Sequence, residues 1–149
     1  MDTVGPTRAP SWLSSMRRGG YDRAMPKSRP GRALVGVRLV FGTSSWFAPK
    51  FVMVALGMDP HSNPQGAYMA RLFGVRDLAL GIGLVSTRGD ARRLWWRLGM
   101  LCDVGDMVSG VLSARQGELP PGPRTLPLFV GAGAIGASLG AAALIARDV

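Results

Sequence analysis

Seven ionisable side chains stand inside stretches that are otherwise apolar: Arg38, Arg71, Arg76, Asp77, Arg97, Asp103 and Asp106. Guanidinium and carboxylate groups can move protons, hold anions or pair with one another. A charge at the centre of a hydrocarbon layer costs about 2.5–3.5 kcal/mol on insertion scales. Groups of this kind therefore pair or line a wet cavity. Asp103 and Asp106 are three apart and share a helix face. Arg76 and Asp103 fall at matching depth, roughly 14–15 Å from the outer ends of their helices at the α-helical rise. Arg71 and Asp106 lie in the same outer half, within reach of a long arginine. Arg38 stands in the inner half, reaching for the inner boundary or Asp103, and Arg97 is expected to snorkel inward. The bland reading is a closed ion-pair network that locks the second and third helices together. The functional one is a mid-height polar site for a proton, an anion or a lipid headgroup. Contact with a partner subunit is a third.

A second constellation is GAGAIG, Gly131 to Gly136, which has the glycine spacing of a dinucleotide-binding turn. That site needs a strand before it, a helix after it and a second strand ending in an acid about 20 residues on. Asp148 is the only acid downstream and one residue follows it, so no cofactor is expected. The same residues suit helix packing. Ala132, Gly136 and Gly140 recur every four residues, with Gly133 and Ala137 in a neighbouring row, and small residues at this spacing let another helix approach closely. The partner is either a helix of this chain or another protein.

Other chemistry is sparse. His61 is the single histidine, in a loop, and a metal site there would need Asp59 and further ligands; none is expected. Cys102 is the single cysteine and reads as a small buried hydrophobe. No serine–histidine–acid set is recognisable, so no catalytic residues are assigned and an enzyme is not expected.

The elements that must position these groups follow from composition. Hydrophobic residues make up 47% of the 149 and charged residues 18%, yet the net charge is +9. The charges are therefore segregated. Arg8, Arg17, Arg18, Arg23, Lys27, Arg29 and Arg32 crowd residues 1–32, together with Pro6, Pro10, Pro26 and Pro30. This reads as a disordered basic tail, in which Trp12, Leu13 and Met16 offer contact with a lipid surface. It lacks a folded nucleic-acid recognition module. Four apolar stretches follow, at about 33–56, 67–86, 94–113 and 126–146, each near the ~20 residues that span a bilayer. The fourth is apolar on every face. Turn-rich loops separate them: GMDPHSNPQG, TRGDARR and RQGELPPGPR. The expected architecture is all-α: an integral membrane four-helix bundle over 33–146 behind the basic tail. With both ends inside, eleven basic residues face the cytoplasm and three, Lys50, Arg115 and Arg124, face out. The positive-inside rule favours that topology in the plasma membrane, with Trp95 and Trp96 at the inner interface and Trp46 near the outer one.

At RLFGVRDLALGIGLV (Arg71 to Val85) and RLGMLCDVGDMVSGVL (Arg97 to Leu112) the chain resembles small, uncharacterised four-helix integral membrane proteins common in actinobacteria. Their Gly-x-Arg-Asp falls on Gly74, Arg76 and Asp77, and their Asp-x-x-Asp on Asp103 and Asp106. The similarity spans roughly residues 33–146. VRLVFGTSSWFAPKF is similar to the first helix of DoxX-like membrane proteins. The resemblance implies fold and location and brings no activity. Two functions are expected. One is an accessory or scaffolding subunit of a larger membrane complex, of the lipid-transport or respiratory kind, with lipids and other integral subunits as partners. The other is a small transporter or ligand-binding membrane protein built on Arg76, Asp103 and Asp106.

Overall fold

The computed structural model describes residues 25–119 and 125–146. Trp12, Leu13, Met16, Arg124, Arg147 and most of the expected tail lie outside the described residues. Among those described there are five helices and no strand: α1 (Arg29–Phe47), α2 (Pro49–Ala55), α3 (Gly66–Ser86), α4 (Gly89–Arg115) and α5 (Thr125–Ile145). The fold is all-α.

Local chemistry sets the ends. Ser28 caps α1, its hydroxyl accepting from the Gly31 N–H at 3.0 Å, with Pro30 in the first turn where no donor is lost. The helix thus begins at Arg29, and Arg29 and Arg32, assigned above to the tail, form its first turn. The expected first span of 33–56 is two helices. Pro49 pushes Ala48 out of the helical region, to φ −129° and ψ 55°, and the chain restarts as α2. Both α2 and α4 end on a glycine in the left-handed region, Gly57 (φ 79°) and Gly117 (φ 72°). In each case the glycine N–H and the one after it fold back onto the last turn: Gly57 to Val54 and Met58 to Met53, Gly117 to Ala114 and Glu118 to Ser113. The third stretch is longer than expected, since α4 starts five residues before Leu94.

Contacts between facing residues show an antiparallel up-and-down order. Gly42 meets Gly74 and Leu39 meets Gly81; Arg76 meets Asp106 and Trp95 meets Gly83; Met107 meets Gly133 and Met100 meets Gly140. The tightest packing joins α1 to α3 and α4 to α5, with α1 also against α5 and α3 against α4; α2 lies against α3 and α1. At the α1–α3 crossing, Gly42 and Gly74 face one another. A Cβ on either would stand 2.8 Å from the other's carbonyl oxygen, so only glycine permits this approach.

One apolar cluster, Leu34, Val35, Leu84, Trp96 and Ala143, lies at the end where α1 and α4 begin. Trp96 is part of this core, while Trp95 packs half-buried over Gly83. A smaller buried pair, Val52 and Met53, closes the opposite end against Gly66.

Among the described residues, no helix is long and apolar enough to cross a membrane. Charges and small polar residues interrupt the apolar runs. Arg38 and the Thr43–Ser45 run break α1; Arg71, Arg76 and Asp77 break α3; Arg92, Arg93, Arg97, Asp103 and Asp106 break α4. The expectation of four individually qualifying spans is corrected accordingly. α5 comes nearest, with 21 residues and no charged side chain.

Candidate functional site: a central ion-pair chain beneath an apolar cavity

The bounds of the helices place the buried charges at one height. Arg38 is the central residue of α1 and Arg76 that of α3, with Asp77 beside it. The centres of α4 and α5 are Cys102 and Ile135, each one residue from Asp103 and Gly136. A charged layer thus runs through the middle of the bundle.

Five side chains form a single alternating sequence of charge across it. Arg38 Nη1 donates to Asp77 Oδ1 at 2.6 Å and Nη2 to Asp103 Oδ2 at 2.7 Å. Arg76 grips Asp106 with both terminal nitrogens, at 2.7 and 2.8 Å, and lies 3.7 Å from Asp77. The order is Asp103–Arg38–Asp77–Arg76–Asp106. Arg38 is 4% exposed and Asp77 and Asp103 are 6% exposed. Forked guanidinium–carboxylate bonds are among the stronger polar contacts available. The Arg76 guanidinium also lies over the Phe73 ring, 5.0 Å from its centroid, which stabilises the cation further.

Glycines make room for this chain. A Cβ at Gly99 would stand 2.9 Å from Arg38 Nη2. A Cβ at Gly136 would stand 2.6 Å from Asp103 Oδ2, and one at Gly133 the same distance from the Asp103 carbonyl oxygen. The GAGAIG stretch lies wholly inside α5. Its second and third glycines seat α4 at the point where Asp103 turns towards Arg38. The packing face is Gly133, Gly136, Gly140 and Ala143, all buried, whereas Ala132 is exposed and Ala137 is half-buried. The seam is internal, against Met100, Asp103 and Met107 of α4.

The pairing differs from the depth-based expectation. Arg76 takes Asp106, not Asp103. Arg38 takes Asp103, one of its two expected ends, and also Asp77, for which no partner had been assigned. Arg71 and Arg97 are exposed on α3 and α4 and stand outside the chain of pairs. Gly99, Gly42 and Gly74 were missed as supports. Their signal was spacing, since Gly99 stands one helical turn before Asp103. Arg92, counted above as a loop charge, is buried, and its Nε donates to the Thr87 carbonyl at 2.8 Å, closing the end of α3.

Above the ion pairs lies a cavity of about 640 Å³, walled by α1, α3, α4 and α5. Its polar lining is Arg38, Arg76, Asp77, Asp103 and Asp106, with Ser109 and Ser113; Leu34, Val37, Phe41, Phe73, Ile135 and Leu139 supply most of the rest. This volume is in the range that encloses a small organic ligand, and an apolar wall with a few convergent polar groups is the usual composition of such sites. Behind the lining, Nε of Arg38 and Nε of Arg76 are buried without an acceptor and present almost no surface to the cavity.

Away from this layer, the turn after α2 is organised by Asp59, whose carboxylate accepts from the N–H groups of His61 (3.0 Å) and Ser62 (3.2 Å). The His61 N–H, then the Ser62 hydroxyl, hold its pKa below the ordinary carboxylate range. Among the described residues, no group of three or more histidine, cysteine, aspartate or glutamate side chains is placed to hold a metal ion. No protein-family model, curated protein or solved structure matches the chain.

Proposed function

We propose that this chain is a multi-pass bundle in the plasma membrane that binds a small molecule in the cavity over its central ion-pair chain. The observation carrying this reading is the radial sorting of side chains at mid-height. The charges of Arg38, Asp77 and Asp103 are interior, whereas Val40 and Leu101, at similar height and outside the cavity lining, are 68% and 67% exposed. A domain surrounded by water sorts the other way. In lipid, intramembrane charges face the interior and pair. These charges interrupt the apolar runs along each helix, but the pairing of Arg38, Asp77 and Asp103 withdraws them from the surface that meets the solvent.

Two further features agree. The end formed by the starts of α1 and α4 carries Lys27, Arg29, Arg32, Arg88, Arg92 and Arg93 against Asp90; the other carries Lys50 and Arg115 against Asp59 and Glu118. Exposed Trp46, Phe47, Phe51 and Tyr68 gather at the second end. Such an arrangement suits a cytoplasmic basic end and an aromatic belt at the opposite boundary.

The accessory-subunit reading rested on a small-residue face of the last helix open to a partner. In the fold α4 occupies that face, so ligand binding is the stronger reading; recovery of a stable larger complex after mild detergent extraction would reverse the order.

Fractionation combined with labelling tests the membrane part. In a Cys102→Ser background, single cysteines replace His61 and Asp90. The protein is expected in the membrane pellet after a carbonate wash. An impermeant maleimide is expected to label position 61 in intact cells and position 90 only after lysis. Recovery in the supernatant without detergent, or labelling of both positions from one side, overturns it.

A further inference from the structure

We infer that the cavity takes a cationic amphiphile: a protonated primary amine seated on Asp103, with its hydrocarbon body against α1 and α5. The inference rests on the ligand-binding reading above and names its ligand class. The alternating layer begins and ends on a carboxylate, Asp103 at one end and Asp106 at the other. Asp106 has both oxygens gripped by Arg76. Asp103 is held through Oδ2 alone, by Arg38 at 2.7 Å, and Asp77 accepts from Arg38 through Oδ1. Oδ1 of Asp103 and Oδ2 of Asp77 accept no hydrogen bond among the described residues, yet neither is among the atoms sealed from solvent. Both residues line the cavity, and their side chains are only 9% and 8% exposed. What surface these carboxylates retain opens into it. The unfilled groups that reach the cavity are therefore acceptors, and a largely buried acceptor calls for a donor.

Charge decides which donor. Two guanidiniums and three carboxylates line the cavity, with no other ionisable group among the described residues. They carry a formal net charge of −1 when all five are ionised. In a low-dielectric enclosure an anionic head deepens this imbalance and a cation relieves it. An ammonium also brings up to three N–H donors to the open oxygens, whereas an alcohol brings one and no charge. A zwitterionic headgroup carries its own anion and leaves the imbalance as it was. A bare metal ion lacks a ligand set among the described residues and leaves the apolar space unfilled. The remaining wall, with Val37, Phe41, Ile135 and Leu139, matches an alkyl body.

The test uses the full-length protein purified in mild non-ionic detergent and a dodecan-1-amine analogue carrying a diazirine in its chain. Labelling is competed with unlabelled dodecan-1-amine, dodecan-1-ol and dodecanoate at mildly alkaline pH, where the amine is protonated and the acid ionised. The amine is expected to compete at least about tenfold better than either of the others. Crosslinks are expected at Val37 and Leu139. Ile135→Trp, which fills the cavity from a position already 62% exposed, is expected to remove most labelling. Asp103→Asn is expected to abolish the preference for the amine over the alcohol. If that variant does not fold, the competition series in the unsubstituted protein is decisive alone. Equal competition by all three, or preference for dodecanoate, overturns the inference and leaves ligand binding standing. So does preference for dodecanol, the result that a proton resident on Asp103 would give, and so does an amine preference that survives Asp103→Asn. Labelling that is not saturable and is unchanged by Ile135→Trp overturns both.

Discussion

Arg38 hydrogen-bonds carboxylates from two helices other than its own, Asp77 of α3 and Asp103 of α4. Arg38→Met leaves Asp103 buried without a cation and Asp77 with only Arg76 at 3.7 Å, which is expected to cost about 3–5 kcal/mol. Arg38→Lys should not restore it, because a single ammonium cannot span both acceptors as the planar fork does. Thermal unfolding in detergent reads both; an unshifted midpoint for Arg38→Met would show that the pairing does not hold the helices. Asp59 gives a milder, pH-dependent case. Its pKa is lowered in the fold, so its contribution to the turn is present above the ordinary carboxylate range and fades as the pH falls through the lowered value. Amide protection at His61 and Ser62 should decline in that acid window and stay flat towards neutrality. Protection that instead falls on alkalinisation would assign the turn to another group. The members of the charge layer were legible as residues, since a charge in an apolar run has few places to go. Their partners were not. Counting residues from a helix end gives height but not direction around the axis. Asp103 and Asp106, three positions apart, point far enough apart that one turns to α1 and the other to α3.

Small residues decide how closely the helices meet. The α1–α3 crossing depends on Gly42 and Gly74 in backbone contact. Gly74→Ala places a methyl against a carbonyl that cannot rotate away, and overpacking of this kind is expected to cost about 1–3 kcal/mol. Gly105→Ala in α4 meets nothing within 4 Å. It should be neutral or stabilising by up to about 1 kcal/mol through helix propensity. Unfolding of the two variants side by side checks the contrast; equal effects would mean that the crossing yields easily. The packing role of GAGAIG could be read from sequence because small residues recur there at helical spacing within an uncharged run. Which of its glycines face inward could not, because both the every-fourth rows and the buried face are compatible with one helix. The break at Pro49 was visible as a proline, but whether the helix resumed after it depended on the packing of Val52 and Met53 against α3.

On the scale of the whole molecule, the number and order of the long helices followed from apolar length and turn composition, and the all-α fold with them. The cavity did not. It is bounded by residues from four helices spread from Leu34 to Leu139, and no local pattern announces a space. The charge layer has one more consequence, which concerns how the protein is made. Arg38 is synthesised 39 residues before Asp77 and 65 before Asp103. In a bilayer, α1 would emerge from the ribosome with a guanidinium whose counter-ions do not yet exist. There it would have to wait in a sheltered, water-accessible site until α3 and half of α4 had followed, so on the membrane proposal entry into hydrocarbon would be a concerted step of several hairpins rather than a helix-by-helix release.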